Sequence, residues 1–155
     1  MKIAKQLFLL VCLAEIAWID QQKRRIFNGK LGKLLCARGI FLLLNVCICP
    51  ESLKAELALT IWGFVFPGMF FFCFYFISKK RIGAGDVKLL AVLGAFCGAE
   101  QGLLAAFFAA VYAVLAEVIH IRTKKINFKK ELPFAPFVFW GTLTVLFWEV
   151  SGITW

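Results

Sequence analysis

Apolar residues run through this chain in long stretches broken by short polar punctuation, at approximately 4–20, 34–49, 57–78, 87–99, 102–121 and 135–154. The stretches are too long and continuous for the alternating strands of a membrane barrel. In lipid only helices and closed barrels satisfy every backbone N–H and C=O. The pattern therefore predicts an all-α, polytopic membrane protein of about six transmembrane helices. A spanning helix takes roughly 20 apolar residues, so the fourth run is short, and its entry is expected at the interface or between other helices. No linker, repeat or low-complexity segment interrupts the pattern, and residues 1–155 read as one integral-membrane domain.

Composition strengthens this reading. The chain is 62% hydrophobic and 17% charged, against about half and one quarter for soluble domains. Six helices of roughly 20 residues would use about 120, which leaves no room for a separate soluble catalytic module. The first run follows Lys2 and Lys5 as a signal peptide would. However, it lacks a small-x-small cleavage site, and Val11 is too large for a lipoprotein box before Cys12. It reads as a retained first helix.

The net charge of +9 is an orientation signal. Three clusters hold 14 of the 18 basic residues: Lys23, Arg24, Arg25, Lys30 and Lys33; Lys79, Lys80, Arg81 and Lys88; Arg122, Lys124, Lys125, Lys129 and Lys130. They fall in the first, third and fifth connections, and basic short loops stay cytoplasmic. Both termini are then expected outside, in an inner (plasma) membrane. Nucleic acid is not expected as a partner; anionic lipid at the cytoplasmic face is. The six cysteines form no C-x-x-C pair, so they read as small packing residues. Glu117 and His120 match half of a di-iron helix motif without its partners. No metal and no cofactor is expected.

Acids at membrane depth are costly and therefore mark function. Asp20 ends the first run and Asp86 precedes the fourth, so both are expected at the cytoplasmic face. Gly83 and Gly85 flank the approach to Asp86 and are expected to allow backbone shapes that side chains forbid. Two facing carboxylates sharing one proton are the minimum for aspartic proteolysis: one activates water, the other the peptide carbonyl. From the dipoles of their own helices, Asp86 near an N-terminus is expected as the base and Asp20 near a C-terminus as the acid. The same residues also fit two interfacial acids balancing nearby lysines. A transporter would place its acids nearer mid-membrane.

The string Gly83-Ala84-Gly85-Asp86-Val87-Lys88-Leu89-Leu90-Ala91, followed by Leu93-Gly94-Ala95-Phe96 and Gly98, closely resembles the type IV prepilin peptidases, which are GxGD-type intramembrane aspartic proteases. Asp20 with Arg24-Arg25-Ile26-Phe27-Asn28 resembles their first motif, with Phe27 where proline is usual. Leu132-Pro133-Phe134-Ala135-Pro136-Phe137 resembles the entry to their last helix. The resemblance implies catalytic Asp20 and Asp86, with Gly83, Gly85, Lys88, Asn28, Pro133 and Pro136 shaping the site or binding substrate. It implies cleavage of a prepilin-like precursor after a glycine that ends a basic leader. The connection from Asp20 to Lys33 is too short for the C-x-x-C domain that larger members associate with N-methylation, so a peptidase-only member is expected. The rival reading is a non-proteolytic pilin-binding or pilus-assembly protein of the same fold, hinted at by Phe27.

Three smaller expectations concern packing. Glu15 and Arg38 are expected to pair across the first two helices, or Arg38 to snorkel to the interface. Gly94, Gly98 and Gly102, four residues apart, are expected at a close helix contact, within the chain or between subunits; the oligomeric state is left open. Trp18, Trp140, Trp148 and Trp155 suit the membrane interface.

Overall fold

The computed structural model describes residues 2–23, 26–77, 83–123 and 133–151. Most of the basic clusters, Trp155 and the side chain of His120 lie outside what is described. Among the described residues six α-helices follow one another: α1 Lys2–Lys23, α2 Asn28–Ile48, α3 Leu53–Ile77, α4 Ala84–Cys97, α5 Ala99–Thr123 and α6 Ala135–Val150, with a 3-10 turn at Pro50–Ser52. The class is all-α, as the apolar runs require. By length and composition, Asn28–Ile48, Leu53–Ile77 and Ala99–Ile119 can cross a membrane, and α6 is a shorter apolar helix.

The short fourth run finds its place at the centre. α4 has 14 residues, about 21 Å of rise, less than the roughly 30 Å of hydrocarbon in a bilayer. It meets α1, α2, α3 and α5, and from Val87 to Phe96 only Lys88 is exposed. Its apolar side chains join Leu9, Leu13 and Ile16 of α1, Leu34 of α2, and Ala105 and Ala109 of α5 in one core. α3, by contrast, buries only Gly63 and Pro67 and turns Phe66, Phe70, Phe72, Phe74 and Phe76 outward. In a bilayer such a surface costs nothing, because lipid is as apolar as the core.

Enclosure of α4 depends on missing side chains. Pro67 has no N–H to bond back to Gly63 O. That carbonyl lies where a Gly94 Cβ would stand, with the Pro67 ring beside it, and a Cβ on Gly102 would come 2.8 Å from Gly94 Cα. Three helices thus converge on Gly94. The four-residue glycine spacing marks a contact inside the chain, and Gly98 plays a different part. It holds φ +97°, which L side chains rarely adopt, and joins α4 to α5 as the only residue between them.

Arg38 departs from the expected pairing. It is 3% exposed; Nε donates to Ala95 O at 2.9 Å, and Nη2 to Glu56 Oε2 at 2.8 Å and to Thr60 Oγ1 at 2.7 Å. Asn45 Nδ2 holds the other Glu56 oxygen at 2.9 Å, and the Thr60 hydroxyl donates to Glu56 O. Ala95 O is among the last carbonyls of α4, which lack a helical partner. Arg38 therefore ties α2 to α3 and places positive charge on the negative end of α4. Glu15 pairs instead with Lys30 on α2. Sequence distance hid this arrangement, because Glu56 stands in the first turn of α3 and reads as a surface acid.

Two outcomes follow, each measured by thermal unfolding in detergent. Gly94→Ala is expected to cost several kcal/mol, since neither neighbouring backbone can yield. The control Gly39→Ala, with open space at its Cβ, is expected to be neutral or stabilising by up to about 1 kcal/mol. Arg38→Met is expected to cost about 3–5 kcal/mol by leaving Glu56 unpaired, and adding Glu56→Leu is expected to recover most of that loss.

Candidate active site

Asp20 lies three residues before the end of α1 and Asp86 in the first turn of α4. The two helices are antiparallel neighbours, so residues 66 apart in sequence share one level of the bundle. Asp20 is 5% exposed, and its Oδ2 accepts a hydrogen bond of 3.1 Å from the Ala135 amide. That amide opens α6, whose first turn has N–H groups without helical partners. Pro136, in the same turn, contributes no N–H. The Pro133-to-Phe137 stretch therefore presents one backbone donor, and the positive end of a helix, to Asp20.

Asp86 is partly buried. Its backbone N–H, and that of Val87, donate to Gly83 O at 3.0 and 3.4 Å. It stands just before the fourth apolar run, and its carboxyl is pushed up to about 6, first by burial and then by the negative charge of Asp20, against a hydrogen bond from the Gly83 backbone N–H. An acid raised by the charge of a second acid nearby is the arrangement a dyad requires. The end-dipole expectation was built on α1 and α4 alone, and a third helix, α6, also bears on Asp20. α6 supplies Asp20 with a donor, while Asp86 is the carboxyl that resists ionisation.

The glycines act through space rather than unusual backbone. Gly83 has φ −67° and ψ 135°, which any residue adopts, and Gly85 sits within α4. A Cβ on Gly83 would stand 2.9 Å from Asp86 Oδ2, and one on Gly85 would stand 3.1 Å from Ile26 Cβ. The first glycine leaves room for the carboxyl; the second lets the α1–α2 connection close on the start of α4. Phe27 fills the place of a proline with φ −76° and ψ 125°, angles a proline would also take. Lys23 Nζ lies 5.4 Å from its ring centroid. Asn28 Oδ1 accepts a 3.1 Å hydrogen bond from Lys88 Nζ, tying the start of α2 to the start of α4.

Two grooves flank α4. One, of about 680 Å³, runs between α3 and α5 and is lined by Asp86, Gly83 and Phe134 beside apolar side chains. The other, of about 620 Å³, lies between α2 and α3 and has Asn28 and Lys88 among its lining residues. Sequence reasoning missed the Ala135 amide, Ile26 and the wall formed by Phe134. Only the Pro-Phe-Ala-Pro string pointed near them. Among the described residues, no three His, Cys, Asp or Glu side chains converge as a metal site would need.

Residues 7–118 match the family profile described as the type IV leader peptidase family. The matched stretch includes Asp20 and Asp86 and stops before Pro133. Two prepilin leader peptidase/N-methyltransferases, from Burkholderia pseudomallei strains 1026b and K96243, are each 30% identical over 108 residues, covering 66% of this chain and 35% of theirs. A third, from Stutzerimonas stutzeri, is 28% identical over 110 residues, covering 68% and 38%. The chain thus matches little more than a third of the length of these relatives. No solved structure matches it. With an α-helical membrane bundle that brings Asp20 and Asp86 to one level, the profile match over residues 7–118 establishes that the chain belongs to the type IV leader peptidase family.

Proposed function

We propose that this chain is an aspartic endopeptidase that removes the basic leader of a prepilin-like precursor, cutting after a glycine at the cytoplasmic face of the inner membrane. The observation that carries the reading is the proximity of Asp20 and Asp86, felt as the elevation of Asp86. Asp20 is the base and Asp86 holds the shared proton. Asp20 removes a proton from water as the water oxygen attacks the peptide carbonyl, and Asp86 protonates the carbonyl oxygen. The tetrahedral intermediate then collapses. Asp20 gives its proton to the leaving nitrogen as the C–N bond breaks, and Asp86 recovers one from the intermediate's hydroxyl. The dyad ends as it began.

Several features support the finer parts of this reading. The basic connections argue for the cytoplasmic side and for anionic lipid around it. Only residues 24–27 join α1 to α2, which argues that N-methylation falls to another protein. Phe27, the feature that hinted at a non-proteolytic relative, leaves the turn with proline-like angles. Lys88, Asn28, Pro133 and Pro136 are read as positioning residues: the first two fix α2 to α4, the prolines fix the start of α6. Residues 1–155 are read as one domain.

Two measurements test the reading. In lipid nanodiscs, the protein is expected to cleave a precursor with a basic leader ending in glycine. Asp20→Asn or Asp86→Asn should reduce kcat at least about a thousandfold, and activity should fall on the alkaline side with an apparent pKa near 6 as the shared proton is lost. Undiminished cleavage by either mutant sinks the dyad. The second measurement concerns stability. An acid raised from 3.8 to about 6 on folding keeps its proton in the folded state over a window where the unfolded chain has lost it, so stability declines as pH rises through that window. Asp86→Asn is therefore expected to raise the melting temperature at pH 7.5, by at most about 3 kcal/mol in free energy, and to lose that advantage near pH 4.

A further inference from the structure

The two grooves beside α4 are nearly equal in volume and both open to lipid, yet they differ at the end where the acids lie. The α3–α5 groove has Asp86 in its wall. The α2–α3 groove has Lys88 there, an ammonium whose hydrogen-bond partner is a neutral amide. We infer that the α3–α5 groove receives the first two turns of the substrate's apolar helix, and that the α2–α3 groove does not. This rests on the peptidase reading above.

Geometry sets the size. On α5 the groove extends from Leu103 to Ala110, a rise of about 10.5 Å, which is two turns of helix. Ala106 and Ala110, one turn apart, form a low floor that lets another helix come close. Phe70, Phe74 and Phe107 are exposed rims against which bulky aliphatic side chains can pack. This is the helix-in-groove mode, with anchors at i, i+3 or i+4, and i+7.

Charge sets the choice. A substrate helix that starts just after the cut bond brings its positive N-terminal end to the level of Asp86. Acids there attract it, whereas the ammonium of Lys88 repels it. Asp86 also lies at the groove's end, so the peptide leaving the helix reaches the dyad in extended form.

The experiment places a photoreactive benzoyl-phenylalanine at Phe107, on one groove, or at Phe72, on the other; both positions are exposed aromatics. The full chain in nanodiscs is illuminated with a synthetic precursor carrying a basic leader, a glycine and a leucine-rich helix. At least tenfold more cross-linked precursor from position 107 than from 72 is expected. Equal yields, a preference for 72, or no cross-link from either overturns the inference. Separately, Ala110→Leu is expected to raise KM about tenfold with little change in kcat, and an unchanged KM overturns it too. Cross-linking at 107 without any cleavage by the wild type keeps the groove and removes the peptidase reading. Cleavage with cross-linking at 72 does the reverse.

Discussion

The structure depends on the close approach of three backbones at Gly94. α4 is too short to cross a bilayer unaided and survives at that depth because α1, α2, α3 and α5 enclose it. Enclosure needs α3 and α5 nearer than side chains allow, and Gly63, Gly94 and Gly102 supply the space. The same approach uses the Gly63 carbonyl that Pro67 leaves without a helical partner, so a weak point in α3 becomes a packing surface for α4. Asp86 is a passenger on this arrangement: its burial follows from where α4 is held.

Each end of α4 carries a charge of the sign its dipole favours. At the C-terminal end Arg38 donates to Ala95 O and is itself neutralised by Glu56. At the N-terminal end Asp86 meets not a cation but a second acid. The first cluster is satisfied and rigid, the kind of polar knot that fixes helix register. In the second, the Ala135 amide holds Asp20, while burial and the charge of Asp20 push the Asp86 carboxyl up to about 6. The two clusters thus lie along one short helix, about 13 Å apart by the rise from Asp86 to Ala95.

Much of this was legible in the sequence. Uninterrupted apolar runs required helices, and the deficit of acids left few groups able to do chemistry, so Asp20 and Asp86 stood out early. The glycine spacing at Gly94 and Gly102 pointed to a close contact. The failures share a cause. The ordering of the two acids from the dipoles of α1 and α4 left out α6, whose Ala135 amide, 115 residues away, donates to Asp20. Arg38 was matched to Glu15 by depth, yet Glu56 reaches it from α3 while Lys30 claims Glu15. Gly83 and Gly85 were read for backbone freedom, and the φ of Gly83 is ordinary; what matters is the space where their side chains would be. Local patterns report a residue's own element well and its tertiary neighbours poorly.

The single-residue junction at Gly98 bears on how the chain enters the membrane. α4 alone offers about ten apolar positions, too few to partition into lipid as a separate segment. Joined to α5 without a loop, it forms a helical hairpin whose combined apolar surface drives insertion of both arms at once. Asp86, at the end of the shorter arm remote from the Gly98 junction, then crosses no part of the hydrocarbon. The acid is delivered to its station by the biogenesis of the helix that follows it.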